Sequence, residues 1–267
     1  MSKTGLTVRI LESGFDNYSV LQDSFQSRLL SVSSIDSVKA GFDSLFTPVV
    51  DIVRNNKVLY CILEKPVAML PVEMLGGDDI LYKNTNILFL VNLGSILQNR
   101  NVPDSRSLAV IQRESAGFID SIEYLAIRES GIELKKPEES TMVHLQKDLY
   151  YDALSGKAYL DNKDFRDVIG QYSFIFLSSG SAGSLDYSSL GAALFDKNVT
   201  AIIVNRAQIR DINCAVLDKR LYSDIRDGET VEQSFYDARI LLYKNMKYEH
   251  PSYWLYNRLY VSGVGTD

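Results

Sequence analysis

Apolar runs alternate with amphipathic stretches through the second half of the chain, and this alternation predicts strands separated by helices. The run YSFIFLSS is apolar enough to be covered on both faces of a sheet. The predicted strands are SLAVIQ (107–112), STMVHLQ (140–146), YSFIFLSS (172–179), VTAIIVNR (199–206) and a closing strand within HPSYWLYNRLYVSG (250–263).

Apolar residues at helical spacing fill most of the intervals between these runs. Thr230 is the predicted N-cap of the last helix, because Gln233 follows it three residues later. Strands and helices in this order form a largely parallel sheet with helices on both faces, so the predicted fold class is α/β. The predicted helices lie at 115–131, 162–171, 184–198, 211–225 and 230–246, and a loop with a hairpin is predicted at 148–160.

The N-terminal part of the chain has a weaker pattern. It predicts a short strand at 6–11, two amphipathic helices within 20–53, and a β-hairpin at 57–75 whose turn contains Pro66. Further short strands are predicted at 78–93. We therefore expect residues 1–45 to form an extension that packs on one domain of residues 46–267.

Composition and charge narrow the class of protein. The chain has 267 residues, a net charge of −6 and two cysteines. An acidic chain without a basic cluster is not typical of a nucleic-acid-binding domain. Cys61 and Cys214 are too few for a disulfide framework or a four-thiolate zinc site, and the acidic residues show no metal-ligand spacing. These features predict a soluble cytoplasmic protein without cofactor, metal, membrane span or nucleic-acid contact.

The strand at 172–179 runs directly into a small, hydroxyl-rich turn, LSSGSAG (177–183). In an α/β protein, a strand-to-helix turn is a common position for a nucleophile or for backbone N–H groups that bind phosphate. The turn has neither the glycine spacing nor the lysine of the known nucleotide-binding loops. The pattern therefore indicates a tight turn more strongly than a nucleotide site.

Four stretches together resemble the CHAT domain, a caspase-like family related to caspases and separases. They are an early hairpin and bend VLYCILEKPVAMLPVEML (58–75), a histidine strand STMVHLQKDL (140–149), a nucleophile strand and turn FIFLSSGSAG (174–183), and a closing helix with a His-Pro pair and strand (228–263). The resemblance implies a caspase-like three-layer sandwich with a mostly parallel central sheet. It also implies a cysteine peptidase whose catalytic groups lie at neighbouring strand ends.

Both catalytic positions of that family are altered in this chain. The cysteine position falls on Gly180, the catalytic histidine position falls on Asp148, and the glycine that follows it is Leu149. The first histidine of the family motif is retained as His144. Glycine has no nucleophile, and an aspartate that ionises near pH 4 is a poor proton donor at neutral pH. The resemblance therefore implies a pseudoprotease that serves as a binding, scaffold or regulatory subunit in a bacterial stress or defence system, with a protein or peptide partner.

Two other functions are compatible with the same residues. A hydrolase could use Ser179 or Ser181 as nucleophile, with His144 as base and Asp148 as acid. A nucleotide- or anion-sensing module could use the turn at 178–184. His144 lies within an apolar strand, however, where a buried, hydrogen-bonded core histidine is the simpler interpretation.

The two cysteines fit the packing of their elements. Cys214 lies among apolar residues of a predicted helix and Cys61 lies in a predicted strand, so both are interpreted as small core residues.

Overall fold

The structure is a computed structural model. It describes residues 56–63, 72–74, 81–92, 94–95, 106–114, 117–152, 157–161, 163–178, 199–205, 212–245 and 253–263, with the single positions 20, 24, 27, 40, 155, 195 and 250. Apart from such single positions, the N-terminal elements predicted at 6–53, the helix predicted at 184–198 and the turn residues Ser179, Gly180 and Ser181 lie outside the described residues.

Ten strands are found among the described residues. They are β1 (Val58–Ile62), β2 (Asn86–Leu90), β3 (Leu108–Ile111), β4 (Met142–Leu145), β5 (Tyr150–Asp152), β6 (Lys157–Leu160), β7 (Lys163–Asp164), β8 (Phe174–Leu177), β9 (Ala201–Asn205) and β10 (Asn257–Val261). Seven of them form the main sheet in the order β1-β2-β10-β9-β8-β4-β3, and β5, β6 and β7 form a small antiparallel sheet.

The main sheet is mostly parallel. Strands β3, β4, β8 and β9 run in the same direction, whereas β10 is antiparallel to β9 and parallel to β2. The C-terminal strand therefore lies in the interior of the sheet. This architecture confirms the predicted α/β class and is consistent with a caspase-like three-layer sandwich.

Four α-helices accompany these strands in the described part of the chain. They are α1 (Phe118–Glu129), α2 (Phe165–Ile169), α3 (Ile212–Asp227) and α4 (Val231–Lys244), and short 3₁₀ helices occur at Val72–Met74, Leu81–Lys83 and Pro137–Glu139. Helix α3 packs against both α1 and α4. The predicted cap of α4 is confirmed, because Thr230 Oγ1 accepts a hydrogen bond of 3.2 Å from the Gln233 N–H. Helix α1 ends before Gly131, whose φ of +77° lies in the left-handed region that favours glycine.

Successive residues of each strand point to opposite faces of the sheet, and residues paired across two neighbouring strands lie on the same face. His144 of β4 lies opposite Phe176 of β8, and Leu145 lies opposite Leu177. One face carries the main apolar cluster, to which α2 and β6 contribute. Its members include Val143, Leu145, Ile175, Leu177, Ile202, Val204, Leu160, Phe165 and Ile169. His144 and Phe176 project from the other face, on which α3 lies.

The chain divides into two compact units, one of residues 1–59 with 65–87 and one of residues 60–64 with 88–267. All residues of the site described below belong to the second unit. The division of the chain at residue 45 stays a prediction. None of the described helices is long and apolar enough to cross a lipid bilayer.

Candidate functional site

Polar residues follow directly after the parallel strands, at their carboxyl ends. Gln146 follows β4, Ser178 follows β8, and Asn205 is the last residue of β9. All three are buried, and the Asn205 amide donates a hydrogen bond of 2.8 Å to the Ser178 carbonyl. The carboxyl ends of parallel strands are the usual place for ligand sites in α/β proteins. This edge of the sheet is therefore the first place to look for function.

His144 lies on β4 with no exposed surface. Its Nδ1 lies 2.8 Å from Tyr222 Oη on α3, and its ring centroid lies 4.7 Å from that of Phe176. The interpretation of His144 as a buried, hydrogen-bonded histidine is therefore confirmed. The imidazole packs between a strand neighbour and a helix.

Glu123 of α1 is also buried, with 1% of its surface exposed. Its Oε1 accepts a hydrogen bond of 2.6 Å from Ser178 Oγ, and its Oε2 accepts one of 2.8 Å from Gln146 Nε2. Gln146 Nε2 also donates to the Asp120 carbonyl. One carboxylate thus connects α1 to the ends of β4 and β8, and Ser178, the one described residue of the turn at 178–184, takes part in this connection.

Asp218 of α3 completes a cluster of ionisable groups. Glu123, His144 and Asp218 are all buried, and each contributes one potential ligand atom to a set that lies within 4.8 Å of one another. We call these three residues the buried triad. Sequence analysis missed it, because its members are 21 and 74 residues apart and come from three different elements.

The pKa values of two buried tyrosines in this region, Tyr222 and Tyr256, are raised. Burial raises the pKa of Tyr222 well above its usual value, and the carboxylates of Asp218 and Glu123 raise it further. Burial also raises the pKa of Tyr256 well above its usual value, with additional contributions from Cys214 and Asp218. Both phenols therefore remain protonated over the physiological range. The protonated Tyr222 can donate to His144 Nδ1 or accept from its N–H, according to the imidazole tautomer.

Asp148, which the resemblance to the CHAT domain assigns to the catalytic histidine position, lies outside this buried region. Its carboxylate is about half exposed and forms an ion pair of 2.9 Å with Arg113 Nη2. Arg113 Nε also donates to the Gln146 carbonyl at 2.9 Å. The side chain at this position thus takes part in a surface ion pair that joins the ends of β3 and β4.

The other predicted site residues and the two cysteines are located as follows. Ser179, Gly180 and Ser181 lie outside the described residues, although the strand that leads to them, β8, is the direct parallel neighbour of β4 as the resemblance implies. Cys214 is a buried residue of α3, as predicted, and Cys61 is partly buried in β1.

A small cleft of about 70 Å³ opens at the opposite, amino-terminal ends of the parallel strands. Met142, Phe174 and Ala201 begin three of those strands and line it, together with the N-terminal turn of α4. Arg106 also lines this cleft, and its guanidinium donates to the carbonyls of Ile225 and Gly228. The cleft is therefore separate from the buried triad.

Helix α1 buries acidic residues and exposes apolar ones. Its interior positions include Asp120 and Glu123, whereas Phe118 is 78% exposed and Leu125 is 49% exposed. A helix of ordinary amphipathicity buries its apolar residues and exposes its acidic ones. The sequence FIDSIEYLAIRE does not show which of its faces packs inward, so only the structure reveals the polar site under this helix.

Comparison of the chain with models of protein families gives no match, and comparison with curated proteins gives no significant match. The resemblance to the CHAT domain therefore stays a prediction.

Proposed function

We propose that this chain is a catalytically inactive protein of caspase-like architecture that acts by binding another protein. The observation that carries the proposal is the environment of His144, which is fully buried and hydrogen-bonded to Tyr222 under α3. A catalytic imidazole has to reach a nucleophile and a substrate. His144 has no exposed surface through which a substrate could reach it.

The position of Asp148 supports the same conclusion. In the resemblance to the CHAT domain, Asp148 takes the position of the catalytic imidazole, and the Arg113 guanidinium forms an ion pair with its carboxylate. An ionised carboxylate paired with a guanidinium is a poor proton donor to a leaving group at neutral pH.

The outer face of α1 supports a binding role. Phe118 and Leu125 are seven residues apart, so they lie on the same side of the helix, and both are exposed. Aromatic side chains are enriched in protein–protein interfaces, and Phe118 offers such a side chain beside an exposed leucine. We define Phe118 and Leu125 as the α1 surface and propose that a protein partner binds there. A role as regulatory subunit in bacterial stress or defence belongs to this proposal through the resemblance to the CHAT domain, and a cytoplasmic location belongs to it through the composition of the chain.

Partner capture tests the binding role. Tagged full-length chain is used to capture proteins from a native lysate, and the captured protein is purified and bound again in isolation. Phe118→Glu with Leu125→Glu is expected to weaken this binding at least tenfold. Leu241→Glu is the matched control, because Leu241 is 46% exposed on α4. Equal binding by both variants would remove the α1 surface from the proposal.

Active-site labelling tests the absence of catalysis. The intact chain is expected to show no labelling by a fluorophosphonate probe. Labelling that disappears in Ser179→Ala or Ser181→Ala would establish the hydrolase instead. A rise in melting temperature with nucleotides, lost when the 178–184 turn is changed, would establish the sensing module.

A further inference from the structure

The buried triad brings three ionisable side chains together in the interior, which is unusual for a core that serves only to stabilise the fold. Glu123, His144 and Asp218 expose 1%, 0% and 0% of their surfaces, respectively. Acidic side chains are almost never fully buried unless they are paired or coordinate a metal. A divalent cation bound by the two carboxylates and the imidazole would offset the negative charge of this buried cluster.

Neighbouring residues form hydrogen bonds to the triad, and these bonds resemble those that hold the ligands of a protein metal site in place. Ser178 and Gln146 each donate to one oxygen of Glu123, which orients the carboxylate. Tyr222 holds His144 through Nδ1, so coordination by this imidazole would use Nε2. Hydrogen bonds of this kind fix the rotamer and the tautomer of metal ligands and are characteristic of protein metal centres.

The spacing of the triad also fits a small cation. Bonds of about 2.0–2.2 Å to nitrogen and oxygen ligands place neighbouring ligand atoms about 3.4 Å apart in a tetrahedral site. The three ligand atoms lie within 4.8 Å of one another. Binding of an ion would therefore draw these ligand atoms closer together than they lie in the metal-free chain.

We infer that Glu123, His144 and Asp218 bind one divalent first-row transition-metal ion, of the Zn²⁺ or Mn²⁺ class. A mixture of one imidazole and two carboxylates selects these ions over Mg²⁺ and Ca²⁺, which prefer oxygen ligands alone. The ion joins α1, β4 and α3 beneath the carboxyl ends of the parallel strands. This inference is independent of the proposed function.

The first test measures metal binding by the intact, tag-free chain. The protein is stripped with a chelator and titrated separately with Zn²⁺ and Mn²⁺. The expected result is binding of one equivalent of metal and a rise in melting temperature, because an ion that binds only the folded state stabilises it. No binding and no thermal shift with either ion would overturn the inference.

Variants localise the ion. His144→Gln and Asp218→Asn are expected to lower metal affinity at least a hundredfold, and Tyr222→Phe about tenfold to a hundredfold through the orientation of His144. His250→Gln and Asp148→Asn are the matched controls, since they change the second histidine of the chain and a half-exposed carboxylate outside the triad. Retained affinity in Asp218→Asn, or a large loss in either control, would contradict the assignment.

A spectroscopic measurement avoids dependence on variants that fold poorly. Co²⁺ added to the stripped wild-type chain is expected to show visible ligand-field bands without an intense near-ultraviolet thiolate band. That pattern indicates nitrogen and oxygen ligands. A thiolate band would place the ion on a cysteine such as Cys214 and would overturn the triad as the site.

Discussion

The two faces of the parallel sheet differ in what they bury. On one face, Val143, Leu145 and Leu177 pack into an apolar cluster with α2. On the other face, the alternate positions His144, Gln146 and Ser178 contact polar side chains of α1 and α3. The same two strands supply both sets, because successive side chains of a strand point in opposite directions.

The two faces differ in what their residues explain: the apolar face accounts for stability, and the polar face is the candidate for function. Apolar burial stabilises the fold in proportion to area and requires no particular partner. A buried carboxylate or imidazole costs free energy unless each polar atom is satisfied. The polar face is therefore the one whose residue types call for a functional explanation, and the predictions below compare the two faces by substitution.

The largest effect is expected on the apolar face. Phe165→Ala removes a fully buried ring of α2 and should lower the free energy of unfolding by about 3–5 kcal/mol. Phe118→Ala removes the same ring from a position that is 78% exposed and should change stability by less than about 0.5 kcal/mol. Urea unfolding measures the free energy of unfolding of both variants. A similar loss of stability in both would contradict the assignment of Phe165 to the apolar core.

A smaller but substantial effect is expected on the polar face. In metal-free protein, Glu123→Ala leaves the hydroxyl of Ser178 and the amide of Gln146 without their carboxylate acceptor, which should cost about 2–3 kcal/mol. Glu129→Ala is the control on the same helix, because Glu129 is exposed. A neutral Glu123→Ala would show that the network contributes little to folding.

Removal of a single hydroxyl sharpens the comparison further. Tyr222→Phe keeps the buried ring and deletes the group that contacts His144 Nδ1, so a loss of about 1 kcal/mol is expected. Tyr150→Phe, at a tyrosine that is 69% exposed, should have no measurable effect. Thermal unfolding measures stability, and the imidazole ¹⁵N shifts report whether His144 changes its tautomer.

The smallest effect is expected at the surface ion pair. Asp148→Asn removes the partner of Arg113 and should cost at most about 1 kcal/mol, because the pair is largely solvated. The difference from wild type should shrink as salt is added, since salt screens exposed charges. A loss comparable to that of Glu123→Ala would mean that Asp148 belongs to the buried network after all.

The hydrophobic pattern predicted most of the described fold correctly. The runs at 107–112, 140–146, 172–179 and 199–206 contain β3, β4, β8 and β9, and the predicted cap Thr230 begins α4. These elements could be predicted because apolar runs and capping residues act over a few neighbouring positions. The location of β10 between β2 and β9 was not predicted, because strand order depends on contacts between distant segments.

The candidate site divides in the same way. The sequence alone, through its resemblance to the CHAT domain, assigned Gly180 and Asp148 to the cysteine and histidine positions, and this assignment stays a prediction. Only the tertiary structure decided that Glu123, His144 and Asp218 meet. Spacing along the chain records local periodicity, whereas this meeting depends on α1 and α3 packing side by side over one face of the sheet.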